Sequence, residues 1–227
     1  MIKIFLDSGN LEDIKKYKNK VAGFTTNPSL MRKAGVKDYE KFCKEVLEVV
    51  EGKPVSFEVF ADDFDEMERQ ARKIASWGKN IYVKVPVQNT KGKLTGDFIT
   101  ELCRDDIKVN ITAICDVKQF INEGYPLMYP VIYSFFAGRI ADTGKNPVEQ
   151  IKAFKLPFEN MDAEVLWASP REVLNIYQAE QAGADIITCT PELIDKYEKF
   201  KGMDLNELSL MTVKQFRQDA IDSGFEL

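Results

Sequence analysis

Ile81-Tyr82-Val83-Lys84-Val85-Pro86-Val87 is a run of apolar and β-branched residues with one lysine at its centre. A continuous apolar run of this kind reads as a strand buried on both faces, the pattern of a parallel sheet covered by helices. Side chains alternate along a strand, so Val83 and Val85 face one way while Tyr82, Lys84 and Pro86 face the other. A charged lysine is costly inside such a strand unless it is paired or gives up its proton. Burial favours the neutral amine, which is a nucleophile toward carbonyl compounds. The plainer alternative is a lysine that snorkels, with its stem buried and its ammonium in water. The surrounding pattern decides between them.

Comparable short apolar runs occur at 2–7, 22–27, 55–60, 108–114, 128–136, 164–169 and 185–190. Between them lie helical patterns. These run from Asn10 (as N-cap) to Tyr17, Asp38 to Val50, Asp63 to Trp77, Thr95 to Cys103, Asp116 to Glu123, Pro147 to Phe154 and Pro170 to Ala182. Asp116-Val117-Lys118-Gln119 has the spacing of a capping box, and Pro170 and Pro191 stand where a first helical turn tolerates proline. Eight strands alternating with helices predict a parallel α/β fold, and eight is the number that closes a (β/α)8 barrel. A doubly wound sheet would call for a glycine-rich first turn. Here that turn is Asp7-Ser8-Gly9-Asn10, with no GxGxxG, so the TIM barrel is favoured. The expected organisation is a single catalytic barrel over 1–203 and a helical tail over 204–227. That tail, with Leu205, Leu208, Met211, Val213, Phe216 and Ile221, is expected to pack on the barrel or on a neighbouring subunit.

Composition narrows the chemistry. With 44% hydrophobic residues in 227, the chain can bury a substantial core. Thirty-one basic against 36 acidic residues give a net charge of −5, which argues against nucleic acid as a partner. Cys43, Cys103, Cys115 and Cys189 form no CxxC pair and read as reduced core thiols of a cytoplasmic protein. The first residues begin a strand without the apolar stretch of a signal peptide, and no run is long enough to span a membrane. There is no histidine, so acid–base work falls to carboxylates, lysine, tyrosine, cysteine or water.

In a barrel of this kind the active site lies at the C-terminal ends of the strands. Asp7 ends the first strand and Thr25-Thr26-Asn27 the second. Glu58 lies in the third and Lys84 in the fourth; Asn110 and Thr112 share a face of the fifth. Ser134 and Phe136 lead to Arg139 after the sixth, Ser169 and Arg171 follow the seventh, and Thr188 and Thr190 sit in the eighth. Singly, each has a plainer reading. Asp7, Asn27 and Ser169 suit helix caps, Glu58 and Lys84 a structural bridge, Thr112 and Thr188 ordinary strand positions, and the arginines exposed loops. Together, polar groups at successive strand ends call for a shared pocket. An amine beside carboxylates suits Schiff-base chemistry on a ketone, and two arginines with a serine suit a phosphate. The residues therefore point to a Schiff-base lyase or transferase acting on a phosphorylated sugar.

With these residues laid out, the sequence resembles the transaldolase family, in its small-subunit branch that also holds the fructose-6-phosphate aldolases. The resemblance rests on Phe5-Leu6-Asp7-Ser8, Gly23-Phe24-Thr25-Thr26-Asn27-Pro28-Ser29-Leu30, Phe57-Glu58-Val59 and Val83-Lys84-Val85-Pro86. It continues through Asn110-Ile111-Thr112, Phe136-Ala137-Gly138-Arg139-Ile140, Ala168-Ser169 and Gly183-Ala184-Asp185-Ile186-Ile187-Thr188. It implies class I aldol chemistry without metal or cofactor in a (β/α)8 barrel. Lys84 would form the Schiff base, Asp7 would act as acid–base, and Glu58 with Thr112 would hold a catalytic water. Thr26, Asn27, Asn110, Ser134 and Phe136 would line the dihydroxyacetone site, and Arg139, Ser169 and Arg171 would bind phosphate. Sugar phosphates of the pentose phosphate route are the implied substrates, and a homo-oligomeric ring the implied assembly.

The resemblance also separates two branches. Transaldolases are similar to this chain in having Glu58, Asn110 and Phe136, where the aldolases carry Gln, Leu and Tyr. Transfer to an acceptor is thereby favoured over release of free dihydroxyacetone. Departures from the family pattern are Ser8-Gly9-Asn10, Phe135, Thr143-Gly144-Lys145-Asn146, and Pro170, which alters the backbone leading to Arg171.

Overall fold

A computed structural model of the chain describes residues 2–120, 130–156 and 163–226. Eight parallel strands close into a barrel in sequence order. They are β1 (Lys3–Asp7), β2 (Gly23–Thr25), β3 (Val55–Glu58), β4 (Ile81–Pro86), β5 (Val109–Ile114), β6 (Val131–Phe135), β7 (Glu164–Trp167) and β8 (Ile186–Cys189). The helices between them are α1 (Leu11–Tyr17), α2 (Pro28–Lys33), α3 (Tyr39–Val49), α4 (Phe64–Ala75), α5 (Gly96–Arg104), α6 (Ala137–Asp142), α7 (Pro147–Lys155) and α8 (Leu174–Gln181), and α9 (Pro191–Phe200) follows β8. A last helix, α10, covers Leu205–Asp222. The chain divides into two compact units, Met1–Leu193 and Ile194–Leu227. Among the described residues no helix is long and apolar enough to cross a membrane.

Strand periodicity builds the interior in two levels. Phe5, Ile132, Leu166 and Ile186 form one buried cluster with Tyr82 packed against it. β4 and β8 stand on opposite sides of the barrel, so residues of both meet only inside it. Gly23 belongs to this floor: a Cβ there would lie 2.5 Å from the Phe5 ring, so the ring occupies the space a side chain would need. Two residues further along the same strands the pattern changes to Asp7, Thr25, Lys84, Ser134 and Thr188. Alternation sends these to the same interior, one layer nearer the C-terminal mouth. An apolar floor thus carries a polar ceiling.

All eight sequence-predicted strands are present, although residues 128–129 of the sixth lie outside the described residues. Several helices differ in detail. The one expected over Asp116 to Glu123 is a short 3₁₀ helix, Val117–Phe120, with 121–123 outside the described residues. Half of its capping box forms: Gln119 Oε1 accepts from the Asp116 N–H, while Asp116 Oδ1 accepts from the Lys118 N–H one position short of the box's own partner. The helix expected from Pro170 begins at Leu174 instead. Ser169 adopts a positive φ of 60°, and Asn175 Oδ1 accepts the backbone N–H groups of Arg171 and Glu172, so this segment turns before it coils. Cys43, Cys103 and Cys189 are buried as expected, but Cys115 is exposed because it stands just past the end of β5. Burial pushes the Cys103 and Cys189 thiols up to about 12, which makes them inert packing groups.

Candidate active site

Lys84 sits in the polar ceiling and is 5% exposed, so its head does not snorkel to water. The strand register sets it beside Glu58 on β3 and Asn110 on β5. Its Nζ lies 3.1 Å from Glu58 Oε2 and donates a hydrogen bond of 3.0 Å to the Thr26 carbonyl oxygen. These two acceptors offset the cost of withdrawing the amine from water. Glu58 is anchored in turn. The Tyr39 hydroxyl of α3 donates to its carbonyl oxygen at 2.7 Å, and Gln70 Oε1 of α4 accepts from the following Phe60 and Ala61 N–H groups.

Asp7 faces the same space from β1. Burial pushes its carboxyl above the ordinary range, while Lys84 and a hydrogen bond from Thr25 pull it back and Glu58 adds to the rise. The Thr25 hydroxyl donates to Asp7 Oδ1 at 2.8 Å and meets the Thr188 hydroxyl at 2.5 Å.

A second chain of side chains crosses from β3 to β6. The Ser134 hydroxyl donates to Asn110 Oδ1 at 2.6 Å, and Asn110 Nδ2 donates to the Ser56 hydroxyl at 3.0 Å. This fixes the orientation of the Asn110 amide. Thr112 is 1% exposed, and its hydroxyl oxygen has no hydrogen-bond partner among the described residues. A buried hydroxyl of this kind calls for water or a ligand. One residue further on, Ala113 takes a φ of 62° where the β5–β6 register shifts, a bulge of the kind that re-aims residues near active sites.

The remaining predicted residues divide. Asn27 N-caps α2, its Oδ1 accepting from the Leu30 N–H, and the Thr26 hydroxyl donates to the Ser56 carbonyl oxygen. Thr26 therefore serves Lys84 through its backbone. Phe136 is half-buried against the inner cluster, with the Arg139 guanidinium 5.7 Å from its ring centre. Arg139 has no ion-pair partner among the described residues. Arg171 does: its Nη2 donates to Asp142 Oδ2 at 2.7 Å, with both side chains exposed. A Cβ on Gly138 would collide with the Ser169 carbonyl oxygen. Glycine there lets the loop after β7 lie directly on α6, which brings Ser169 and Arg171 beside Arg139's helix.

The family model for Transaldolase/Fructose-6-phosphate aldolase matches residues 4–226. The chain belongs to that family. A probable transaldolase from Thermoanaerobacter sp. (strain X514) is 30% identical over 233 residues, covering 100% of both chains. One from Lactiplantibacillus plantarum is 35% identical over 202 residues, covering 86% of this chain and 88% of its own. Among solved structures, orotidine 5'-monophosphate decarboxylase from Sulfolobus solfataricus aligns with a TM-score of 0.54 at 13% identity, over 97% of this chain and 100% of that one. That likeness shows the shared fold alone. The protein is an enzyme of the transaldolase type.

For a transaldolase-type site, sequence pattern places Thr25 and Thr188 among the polar strand-end residues without giving either a role, and it singles out neither Ser56 nor Tyr39. Ser56 carried a signal, since it stands two residues before Glu58 and so shares its face. Thr25 carried a weaker one, as the inward neighbour of Gly23. Tyr39 carried none, because its partner is a backbone carbonyl distant in sequence.

Proposed function

We propose that this enzyme transfers a dihydroxyacetone unit from a ketose phosphate, sedoheptulose 7-phosphate or fructose 6-phosphate, to an aldose phosphate, glyceraldehyde 3-phosphate or erythrose 4-phosphate. The observation that carries the reading is the buried Lys84 amine with Glu58 at 3.1 Å and Asp7 facing it. Lys84 adds to the donor's carbonyl carbon and gives a carbinolamine. Glu58, through a water shared with Thr112, delivers the proton that lets hydroxide leave as water, and an iminium remains. Asp7 takes the proton of the hydroxyl on the far carbon of the bond to be broken, the carbon that becomes the aldehyde. That bond's electron pair moves to the iminium, leaving an enamine on Lys84 and a free aldose phosphate. The enamine attacks the acceptor aldehyde, Asp7 returns its proton to the new alkoxide, and water releases the product ketose.

Asn27 and Asn110 would hold the hydroxyls of the three-carbon unit, Ser134 its oxygen, and Phe136 its apolar side. Arg139, Ser169 and Arg171 would bind the phosphate, with Asp142 giving up Arg171 to the incoming anion. Phe136 favours transfer over hydrolysis, because its ring offers no hydrogen bond to a water attacking the iminium. The buried thiols suit a reducing cytoplasm. The test is a product assay with fructose 6-phosphate. We expect glyceraldehyde 3-phosphate and sedoheptulose 7-phosphate to accumulate together only when erythrose 4-phosphate is present. Steady release of free dihydroxyacetone without acceptor would assign the chain to aldolase chemistry instead.

The tail from Asp204, whose carboxylate caps α10 by accepting from the Asn206 and Glu207 N–H groups, is proposed to act in assembly into a ring of subunits. Its Leu205, Leu208, Met211 and Phe216 supply the apolar surface for it. A chain ending at residue 203 should then show a lower subunit count by light scattering after size exclusion. An unchanged count removes the tail from assembly.

A further inference from the structure

Thr25 and Thr188 are 2% and 4% exposed, and neither hydroxyl caps a helix or bonds to the backbone. They come from β2 and β8, the two strands that flank β1, and meet beside Asp7 in the barrel interior. The layer beneath is apolar, so two valines would fill these positions and extend the floor without burying a polar atom. A hydroxyl pair kept in such a place has a task, and the bonding gives it. Thr25 has one proton, and it goes to Asp7 Oδ1. The 2.5 Å bond between the two threonines must then take its proton from Thr188.

We infer that Thr188 and Thr25 form a two-hydroxyl relay that positions the Asp7 carboxyl and accommodates it in both protonation states. The inference rests on the reading that Asp7 takes up and returns a proton during each transfer. With Asp7 ionised, Thr188 donates to Thr25 and Thr25 donates to the carboxylate. When Asp7 carries the proton on Oδ1, both hydroxyls rotate: Thr25 accepts from Asp7 and donates to Thr188, whose own proton turns away from Thr25. No heavy atom moves. The same side chain is therefore held in one place as base and as acid, which a fixed backbone N–H could not do because it only donates. Thr25 and Thr188 are positioning residues: they touch Asp7 and each other, and act on the sugar through Asp7.

The other groups around Asp7 are Lys84 from β4, Glu58 from β3 and the Cys189 thiol of β8. Asp13, Lys33 and Glu192 line the opening beside it. None of these is altered by exchanging Thr25 for an isosteric valine.

The experiment follows the Asp7 side-chain carboxyl by ¹³C NMR in aspartate-labelled protein, assigned by its absence in Asp7→Asn. Thr25→Val should raise the Asp7 midpoint by roughly one pH unit, the size of one charge-assisted hydrogen bond. Thr188→Val should raise it by less, because Thr25 still donates but is no longer oriented. Thr25→Ser, which keeps the hydroxyl and loses only a methyl, should recover the wild-type midpoint. In the transfer assay the acid limb of kcat should move upward by the same amount in Thr25→Val, with KM changed less than kcat. An unmoved midpoint in Thr25→Val, or a Thr25→Ser shift as large as the valine's, overturns the relay. Should Thr25→Val not fold, the Thr188→Val midpoint decides alone, and no shift there also overturns it. The NMR readout needs no turnover. A midpoint that shifts in a protein without transfer activity would thus overturn the functional reading while leaving the hydroxyl pair as described.

Discussion

Replacing Lys84 by methionine should abolish the borohydride-trapped adduct and lower transfer by at least about 10⁴-fold, the scale on which loss of a covalent nucleophile is felt. Methionine matches the lysine stem closely in length and volume, so the barrel interior stays filled. What disappears is the only amine among the described residues that faces Glu58, Asp7 and Asn110 together. Two acceptors lose their donor: the Thr26 carbonyl at 3.0 Å and Glu58 Oε2 at 3.1 Å. An unsatisfied buried carbonyl costs about 1–3 kcal/mol, whereas Glu58 is 19% exposed and recovers part of its loss through water. The melting temperature should therefore fall by a few degrees while the far-UV circular dichroism stays unchanged. Peptide mapping after borohydride reduction with fructose 6-phosphate should find a three-carbon adduct on the Lys84 peptide in the wild type and none in the variant. Turnover retained by the methionine variant would remove the Schiff base from the mechanism, whatever the adduct data showed.

How much of this was legible beforehand follows from the period of the signal. A strand repeats every two residues, so seven residues around Lys84 suffice to show that it shares a face with Tyr82 and Pro86. The same reasoning at Asp7 and Glu58 reaches the correct layer, and eight such runs suffice for the barrel. Short helices carry too few turns to leave a pattern. α2, begun by Pro28 and capped by Asn27, and α6, in which Gly138 lies against the Ser169 carbonyl, are six residues each. Periodicity needs roughly eleven residues to register. The late start of α8 depends on a positive φ at Ser169 and on the Asn175 side chain reaching back to Arg171, a choice made by local hydrogen bonds that Pro170 obscures. The hydroxyl pairs were the least legible. Threonine is a common strand residue for reasons of shape alone. Thr25 and Thr188 are separated by 163 positions and meet only because the barrel closes β8 onto β1. Pairings of that kind are set by closure and stagger, which single strands do not record.

Closure also makes the roles of Asp7 and Lys84 separable, and Asp7→Asn should show it. The amide keeps an oxygen that accepts from Thr25, so the side chain remains where it was, but it cannot take a proton from the sugar hydroxyl. Schiff-base formation uses Lys84, Glu58 and water, and none of these is touched. The variant should therefore bind the ketose covalently and stop. Borohydride reduction with fructose 6-phosphate should leave the whole phosphorylated sugar on the Lys84 peptide, where the wild type leaves three carbons. Overall transfer should drop by about 10²–10⁴-fold, the range that a positioned general base supplies. The pH dependence should change with it. In the wild type, burial lifts the Asp7 carboxyl and Lys84 and Thr25 restrain it, so activity falls as pH drops through that raised value and the base is lost by protonation. The substituted amide has nothing to protonate, and the residual rate should lose that limb. If the variant instead gave three-carbon adducts at the wild-type rate, the proton would have to leave through another carboxylate. Glu58, already paired with the amine, would then be serving both halves of the reaction, and the division of labour between β1 and β3 would have to be withdrawn.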